Sequence, residues 1–392
     1  MQQQPDNSVA KLNQLYLWLA LDDKAMAVER AQQWLETLMQ APDSAVASTA
    51  CVDPALLYDP IFQSLAGQFT ALQLLCYWLS VYGSYVFNAP AIRYGRLVLQ
   101  LGAHIPENTL AVAVMALQQG LAEGYFWLNH VAQAPRLEAQ VEAARQITKH
   151  AAAISVPYCG YQLSLEPSWA SICTLVLVAQ GRWFEAEIEF VQQFVKPGMT
   201  ALDVGANVGV YTFAIASCLA KHGHIHAFEP TAKCQALIQQ TIANNDLASV
   251  VTLHSVAVGA SIGKVSLQSQ AASELNAVSQ TAGDIQQIPL DSLNLAAVDL
   301  IKVDTEGMEV AVLQGARQLL ETHKPILIIE NMNGAQVTGD QAITYLEPLG
   351  YRFYRYNPYQ QCLVKLRQSD LVNTLNLIGV HPEASRGLWL PQ

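Results

Sequence analysis

Basic side chains are scarce in this chain of 392 residues: 21 Lys and Arg stand against 32 Asp and Glu, a formal net charge of -11. A surface that tracks phosphates needs clustered cations, so nucleic acid is set aside as a partner. Cysteine pairing is missing too. The 7 cysteines (51, 76, 159, 173, 218, 234 and 362) are odd in number, with no C-x-x-C pair and no cluster with histidine at zinc-ligand spacing. Free thiols in a reducing compartment are expected instead. The opening MQQQPDNSVAKLNQ has no basic segment leading into an apolar one, which makes the cytoplasm the expected location. Charge is absent altogether between Asp59 and Arg93, and Phe69 to Phe87 is long enough to span a bilayer. Thr70, Gln73, Ser80, Gly83 and Ser84 interrupt that stretch and no Lys/Arg-rich flank would orient it. A buried core helix is expected there, and no membrane partner.

The length suggests about two domains. From Leu12 to Met39, Leu15, Trp18, Leu19, Val28, Leu35 and Leu38 recur at three- and four-residue steps, and Pro42 closes the stretch. This predicts a helical hairpin. Thr109 to Pro135 looks alike, ending WLNHVAQAP where the first ends WLETLMQAP, so Trp34 and Trp127 take matching places. Two copies hint at a helical repeat, an architecture that presents surfaces to protein partners, although ordinary helix packing explains them as well. Tyr77, Trp78, Tyr82, Tyr85, Phe87 and Tyr94 are read as core aromatics with no function. Near Ser155 to Gly160, Pro157 and Gly160 break the helical pattern. An all-α domain over 1–155 and a second domain over 156–392 are therefore expected.

The back half carries the chemistry. TALDVGANVGVYTFAIASCLAKHGHIHAFE, residues 200 to 229, reads as strand, glycine turn, helix, turn and strand. Gly205 and Gly209 let the backbone turn sharply at the carboxyl edge, where parallel sheets bind ligands. The spacing is G-x-x-x-G rather than G-x-G-x-x-G, and Asp203 just before it would repel a pyrophosphate while attracting a sulfonium or ammonium. Glu229 ends the next strand, 26 residues on, where a carboxylate accepts from both ribose hydroxyls of a nucleoside. Strands follow at VVTLHSVAV, VDLIKVD and PILIIEN, with a helix over Ala232 to Asn244 and a hairpin through GKVSLQS. A doubly wound, mainly parallel α/β sheet is expected. Asp304, Glu306 and Glu309 in DTEGME gather carboxylates at the same edge. Asp304 and Glu306 are read either as site residues or as caps of a helix starting near Gly307.

DVGANVGVYT, AFEP, IPLDSL, VDLIKVDTEGMEVAVLQGA and PILIIEN, in that order, resemble the FkbM family of S-adenosylmethionine-dependent methyltransferases over about residues 181 to 366. The family's pattern of lysine, hydrophobe, aspartate, any residue, glutamate, glycine, any residue, glutamate is matched by Lys302, Val303, Asp304, Thr305, Glu306, Gly307, Met308 and Glu309. The resemblance implies a class I methyltransferase fold, S-adenosylmethionine as cofactor, and O-methylation of a small-molecule or glycan acceptor. It implies that Asp203, Gly205, Asn207 and Gly209 frame the methionine half, that Glu229 holds the ribose, and that Ser255 to Ala257 border the adenine. Asp304, Glu306, Glu330 and Asn331 become the acceptor-side candidates. The helical front half has no counterpart in the family core, so acceptor choice or a protein partner is left to it.

Methyl transfer is an in-line displacement that rests largely on positioning and exclusion of water. An alcohol acceptor still benefits from a base, and Asp304 or Glu306 is assigned that role. His254 is the strongest of the histidine alternatives, His224, His226 and His323 being the others. Asp304, Glu306 and Glu330 offer oxygens that a hard cation accepts, but nothing in their spacing demands a metal and none is expected. Two other readings remain open at this point: a nicotinamide-dependent oxidoreductase on a similar sheet, and a helical interaction protein whose second domain is not catalytic.

Overall fold

The computed structural model describes residues 8–21, 23–40, 51–52, 55, 60–82, 89–149, 153–268, 277–279, 283–333, 336–337, 339–358 and 360–383. Pro42, Gly83, Ser84, Tyr85 and Phe87 of the sequence reading lie outside them. The chain forms two compact units, residues 1–145 with 178–180, and residues 146–177 with 181–392.

In the first unit α1 (Ser8–Ala20) and α2 (Lys24–Gln40) make the expected hairpin. Next come α3 (Pro60–Leu65), α4 (Ala71–Tyr82), α5 (Ala89–Gln100), α6 (Pro106–Gln118), α7 (Glu123–Val131) and α8 (Glu138–Thr148). Within the uncharged stretch α4 covers Ala71–Tyr82, and it lacks charge because its side chains are core: Leu74, Leu75, Cys76, Trp78 and Leu79 are all buried. The polar residues that interrupt it have structural work. Thr70 N donates to Gln73 Oε1 while Gln73 N donates to Thr70 Oγ1, a reciprocal cap at the helix start. Ser80 Oγ donates to Asn108 Oδ1 on α6. Among the described residues no helix is long and apolar enough to cross a membrane. The matching tryptophans sit in unlike surroundings. Trp34 is buried, whereas Trp127 is half-buried against Phe126, His104 and His130.

The second unit opens with the hairpin β1 (Ile154–Tyr158) and β2 (Tyr161–Leu165), whose turn residues Cys159 and Gly160 are both left-handed, the pair of positive φ values a type I′ turn needs. Helices α9 (Ile172–Gln180) and α10 (Glu187–Phe194) lead to the main sheet. It begins with β3 (Thr200–Val204), α11 (Val210–Leu219), β4 (His224–Phe228), α12 (Ala232–Asn244) and β5 (Val251–His254). Short strands β6 (Ala257–Val258), β7 (Gly263–Gln268), β8 (Ala277–Ser279) and β9 (Ile285–Ile288) form a separate small sheet, in which GKVSLQ, expected to form a hairpin, is the single strand β7, antiparallel to β8 and β9. The chain returns through β10 (Leu300–Val303), α13 (Glu309–Gln314), α14 (Arg317–His323) and β11 (Ile326–Glu330). It then makes the short pair β12 (Met332–Asn333) and β13 (Gln336–Val337), α15 (Gly339–Leu346), β14 (Arg352–Asn357), β15 (Cys362–Lys365) and β16 (Asn376–Val380).

The order across the large sheet is β15-β14-β16-β11-β10-β3-β4-β5. The five strands from β11 to β5 are parallel, and β16, β14 and β15 run antiparallel to their neighbours at one edge. The expected doubly wound, mainly parallel sheet is present, with an antiparallel flank that the sequence reading left out. Strands β3, β10 and β11 are nearly continuous apolar runs because both faces are covered. One face packs Leu202, Val204, Ile301, Val303, Leu327 and Ile329 against Val312, Leu313 and Leu320 of α13 and α14. Each such side chain stabilises the fold by roughly 1.5–3 kcal/mol relative to exposure. The chain winds outward from β3 to β5 and then resumes on the other side of β3 with β10. Their carboxyl ends therefore bracket a topological switch point, the place where open α/β sheets bind ligands.

Candidate active site

At the end of β3, Gly205 adopts a φ of 84°. A Cβ there would lie 1.7 Å from the carbonyl oxygen of Asp304, so only glycine lets this turn pass the end of β10. Gly209, at φ 93°, precedes α11, and a Cβ on it would meet the ring of Phe213 at 2.4 Å. Asn207 between them is also left-handed. Its amide donates to Glu229 Oε2 at 2.8 Å, and the Thr231 amide donates to Glu229 Oε1 at 2.7 Å. Glu229 is thereby fixed at the end of β4. Burial pushes its carboxyl up to about 7, although those donors pull the other way.

Asp203 lines the cleft, as the sequence reading expects, but from a deeply set position. It is buried at 1% exposure and accepts from Thr212 Oγ1 at 2.5 Å, tying β3 to α11. Burial raises it to about 6. Ala257 lines the cleft with Val256 and Val258, while Ser255 is exposed and outside the lining. Gly209 shapes the turn without lining the cleft itself.

On the other side of the cleft Asp203 and Lys302 are in register on adjacent parallel strands. Lys302, 1% exposed, donates from Nζ to Asp304 Oδ2 at 3.1 Å and to Asn376 Oδ1 at 3.0 Å, and Nζ lies 4.9 Å from the centre of the Tyr211 ring. Burial alone would drive this ammonium toward neutrality. The carboxylates of Asp304 and Glu185, with the Asp304 hydrogen bond, outweigh it and hold the lysine above its ordinary value. Glu306 sits at φ 52° in the turn after β10, a left-handed conformation uncommon for such a residue. Burial, with Asp304 and Glu309 beside it, pushes Glu306 up to about 7. Burial and the neighbouring Asp304 raise Glu330 further, so it keeps its proton at neutral pH. Oxygens of Asp304, Glu306 and Glu330 come within 4.8 Å of one another.

Two acceptor-side expectations are corrected. Asp304 and Glu306 do not cap the helix, which starts at Glu309. Glu309 itself closes the turn, its Oε1 accepting from Thr305 N, Thr305 Oγ1 and Gly307 N. Asn331 does not line the cleft. Fully buried, it donates to the carbonyls of Leu371 and Thr374 and accepts from the Gly339 amide, so its polar atoms hold backbone rather than a ligand. The histidines are not at the cleft either. His226 Nδ1 and His254 Nε2 lie 3.0 Å apart, His254 stacks on Phe228, and burial lowers both.

Sequence reasoning missed Trp183, Phe184, Glu185, Tyr211 and Asn376, all of which line the cleft. The signal available was WFEAEIE at 183–189, aromatics and acids crowded at the start of a helix. Among the described lining residues six carboxylates (Glu185, Asp203, Glu229, Asp304, Glu306, Glu330) face one cation, Lys302, which is already engaged. A pyrophosphate finds no partner in such a cleft. A molecule with a diol, an aromatic base and positive charge finds the buried Glu229, the apolar shelf Val256–Val258 and open carboxylates, so the residues present fit S-adenosylmethionine.

These raised carboxyls have a consequence for stability. Glu187 and Glu229 are pushed from 4.5 to about 7 by burial, so the folded protein holds protons that the unfolded chain has lost. Their contribution is full below about 4.5 and vanishes as pH rises through about 7. His226, lowered to about 4, opposes this only below its ordinary 6.5. The melting temperature of the ligand-free protein is expected to fall between about pH 6.5 and 8 in a thermal scan. A rise over that interval contradicts the assignment.

A glycine turn at the switch point, an acid closing the second strand and a cleft rich in carboxylates define an α/β protein of the class I methyltransferase type. The chain carries a methyltransferase FkbM domain, whose family model matches residues 203–353. Over those residues it has a methyltransferase domain, with S-adenosylmethionine as cofactor. No curated protein matches the sequence. Among solved structures it is similar to the methyltransferase FkbM from Methylobacillus flagellatus, at 14% identity and a TM-score of 0.35, covering 76% of this chain and 72% of that one. An O-methyltransferase from Bacillus cereus in complex with SAH is similar at 15% identity and a TM-score of 0.32, covering 51% and 82%. A SAM-dependent methyltransferase from Aquifex aeolicus follows at 14% and 0.31, covering 50% and 89%. Likeness at these scores carries no weight for the chemistry, which rests on the family model and the cleft.

Proposed function

We propose that the protein methylates a hydroxyl group on a small molecule or sugar, with Asp304 as the base. The observation that carries this is the pairing of Asp304 with the buried Lys302, which fixes a carboxylate in place at the mouth of a donor site. Asn207 and Glu229 hold the nucleoside end, and Gly205 gives the backbone close approach. S-adenosylmethionine supplies a methyl group on a positively charged sulfur. Asp304 accepts the hydroxyl proton as the oxygen becomes the nucleophile. Glu306, within reach on the next turn, is the second carboxylate able to take it, and the protonated Glu330 donates a hydrogen bond in the same cluster. Trp183 and Phe184, with ring centres 4.6 Å apart, offer apolar faces to a ring-shaped acceptor such as a sugar. Residues 156–392 carry the transfer in this reading, and the helical residues 1–155 shape acceptor choice or recruit a protein partner in the cytoplasm.

The test is incubation with S-adenosylmethionine labelled in its methyl group and a panel of polyols, sugars, amines and carboxylic acids. Label in an alkali-stable ether is the expected result. Label on nitrogen, or in an alkali-labile ester, overturns the hydroxyl assignment.

A further inference from the structure

We infer that Glu185 receives the α-ammonium of S-adenosylmethionine, a role the sequence reading gave to Asp203. The inference rests on that cofactor as the donor. Glu185 lies in the segment before α10, outside the matched residues 203–353.

A zwitterionic amino-acid end brought into this cleft needs a carboxylate for its ammonium, and most of the candidates are committed. Asp203 is sealed at 1% exposure and bound to Thr212. Asp304 is paired with Lys302, and both oxygens of Glu229 are taken by backbone amides next to the expected ribose. Glu185 is half-buried, lines the cleft, and among the described residues is paired directly with no lysine or arginine.

Its position is fixed by neutral donors. Oε2 accepts from Tyr211 Oη at 2.6 Å and from Asn376 Nδ2 at 2.7 Å, and Oε1 accepts from Trp183 Nε1 at 2.9 Å. Those three bonds leave capacity on Oε1, since a carboxylate accepts about four. They also aim the charge. Tyr211 belongs to the first turn of α11, directly after the glycine turn, while Asn376 accepts from Lys302, which also donates to Asp304. Glu185 therefore stands between the donor turn and the base, where the methionine end must lie if the nucleoside is held at Glu229.

Titration calorimetry with two ligands tests this without turnover. S-adenosylhomocysteine carries the ammonium, and 5′-methylthioadenosine is the same nucleoside thioether without it. Glu185→Gln is expected to weaken S-adenosylhomocysteine by about 10- to 100-fold, the worth of a charge-assisted hydrogen bond, and to change 5′-methylthioadenosine by less than about threefold. Equal weakening of both ligands, or of neither, overturns the inference. If Glu185→Gln does not fold, Glu185→Asp keeps the charge but withdraws it. The same selective loss, smaller in size, is then expected, and an unselective one is again fatal. Failure of the wild type to bind S-adenosylhomocysteine at all would instead remove the donor assignment itself.

Discussion

Lys302→Met is expected to destabilise the second unit by about 3–5 kcal/mol at pH near 8, the usual consequence of removing one partner from a buried charge pair. That is a large share of the roughly 5–15 kcal/mol by which domains are stable. Methionine fills much the same volume, so the loss is electrostatic. Asp304 and Glu185, whose charges hold the ammonium, are left without it, and Asp203, Glu187 and Glu306 also feel the missing cation. Asn376 Oδ1 loses its donor. Because protons can replace the lysine, the deficit is expected to shrink when denaturant unfolding is repeated near pH 5.5, below the raised values of Asp203, Glu187 and Glu306. A deficit of equal size at both pH values would mean that Lys302 matters only for packing.

Asp304→Asn is expected to lower kcat by about 100- to 10,000-fold, the range over which a positioned base accelerates proton transfer. Asparagine keeps the shape and still accepts from Lys302 but cannot take a proton. Affinity for S-adenosylhomocysteine is expected to stay within about threefold, because Asp304 lies on the acceptor side and receives no hydrogen bond from the donor turn. The rate of S-adenosylhomocysteine release with an acceptor identified from the panel reads the first number, and calorimetry reads the second. A loss under about tenfold moves the base to Glu306. A comparable loss of S-adenosylhomocysteine binding makes Asp304 part of the donor site instead.

The strands, the glycine turn and Glu229 were legible because each depends on local pattern. Continuous apolar runs mark covered strands, and a glycine stands where a Cβ would collide with Asp304. Asn331 is misplaced, and the engagement of Asp203 goes unseen, for a shared reason. A polar residue at a strand end reads the same whether it faces a ligand or ties down backbone, and only the three partners of Asn331 and the Thr212 hydroxyl on Asp203 decide it. Glu185 and Asn376 were invisible because 191 residues separate them, and they meet only through the sheet. The antiparallel flank was missed for a similar reason: the side on which β14, β15 and β16 join is set by pairing with β11 rather than by their own pattern.

The central claim is that the cleft at the β3–β10 switch point binds S-adenosylmethionine through Glu229. Calorimetric titration of the wild type and of Glu229→Ala with S-adenosylhomocysteine, and separately with NAD, tests it most directly. The expected result is binding of S-adenosylhomocysteine alone, weakened about 10- to 100-fold by the substitution. Binding of NAD alone, or S-adenosylhomocysteine affinity indifferent to Glu229→Ala, would contradict it.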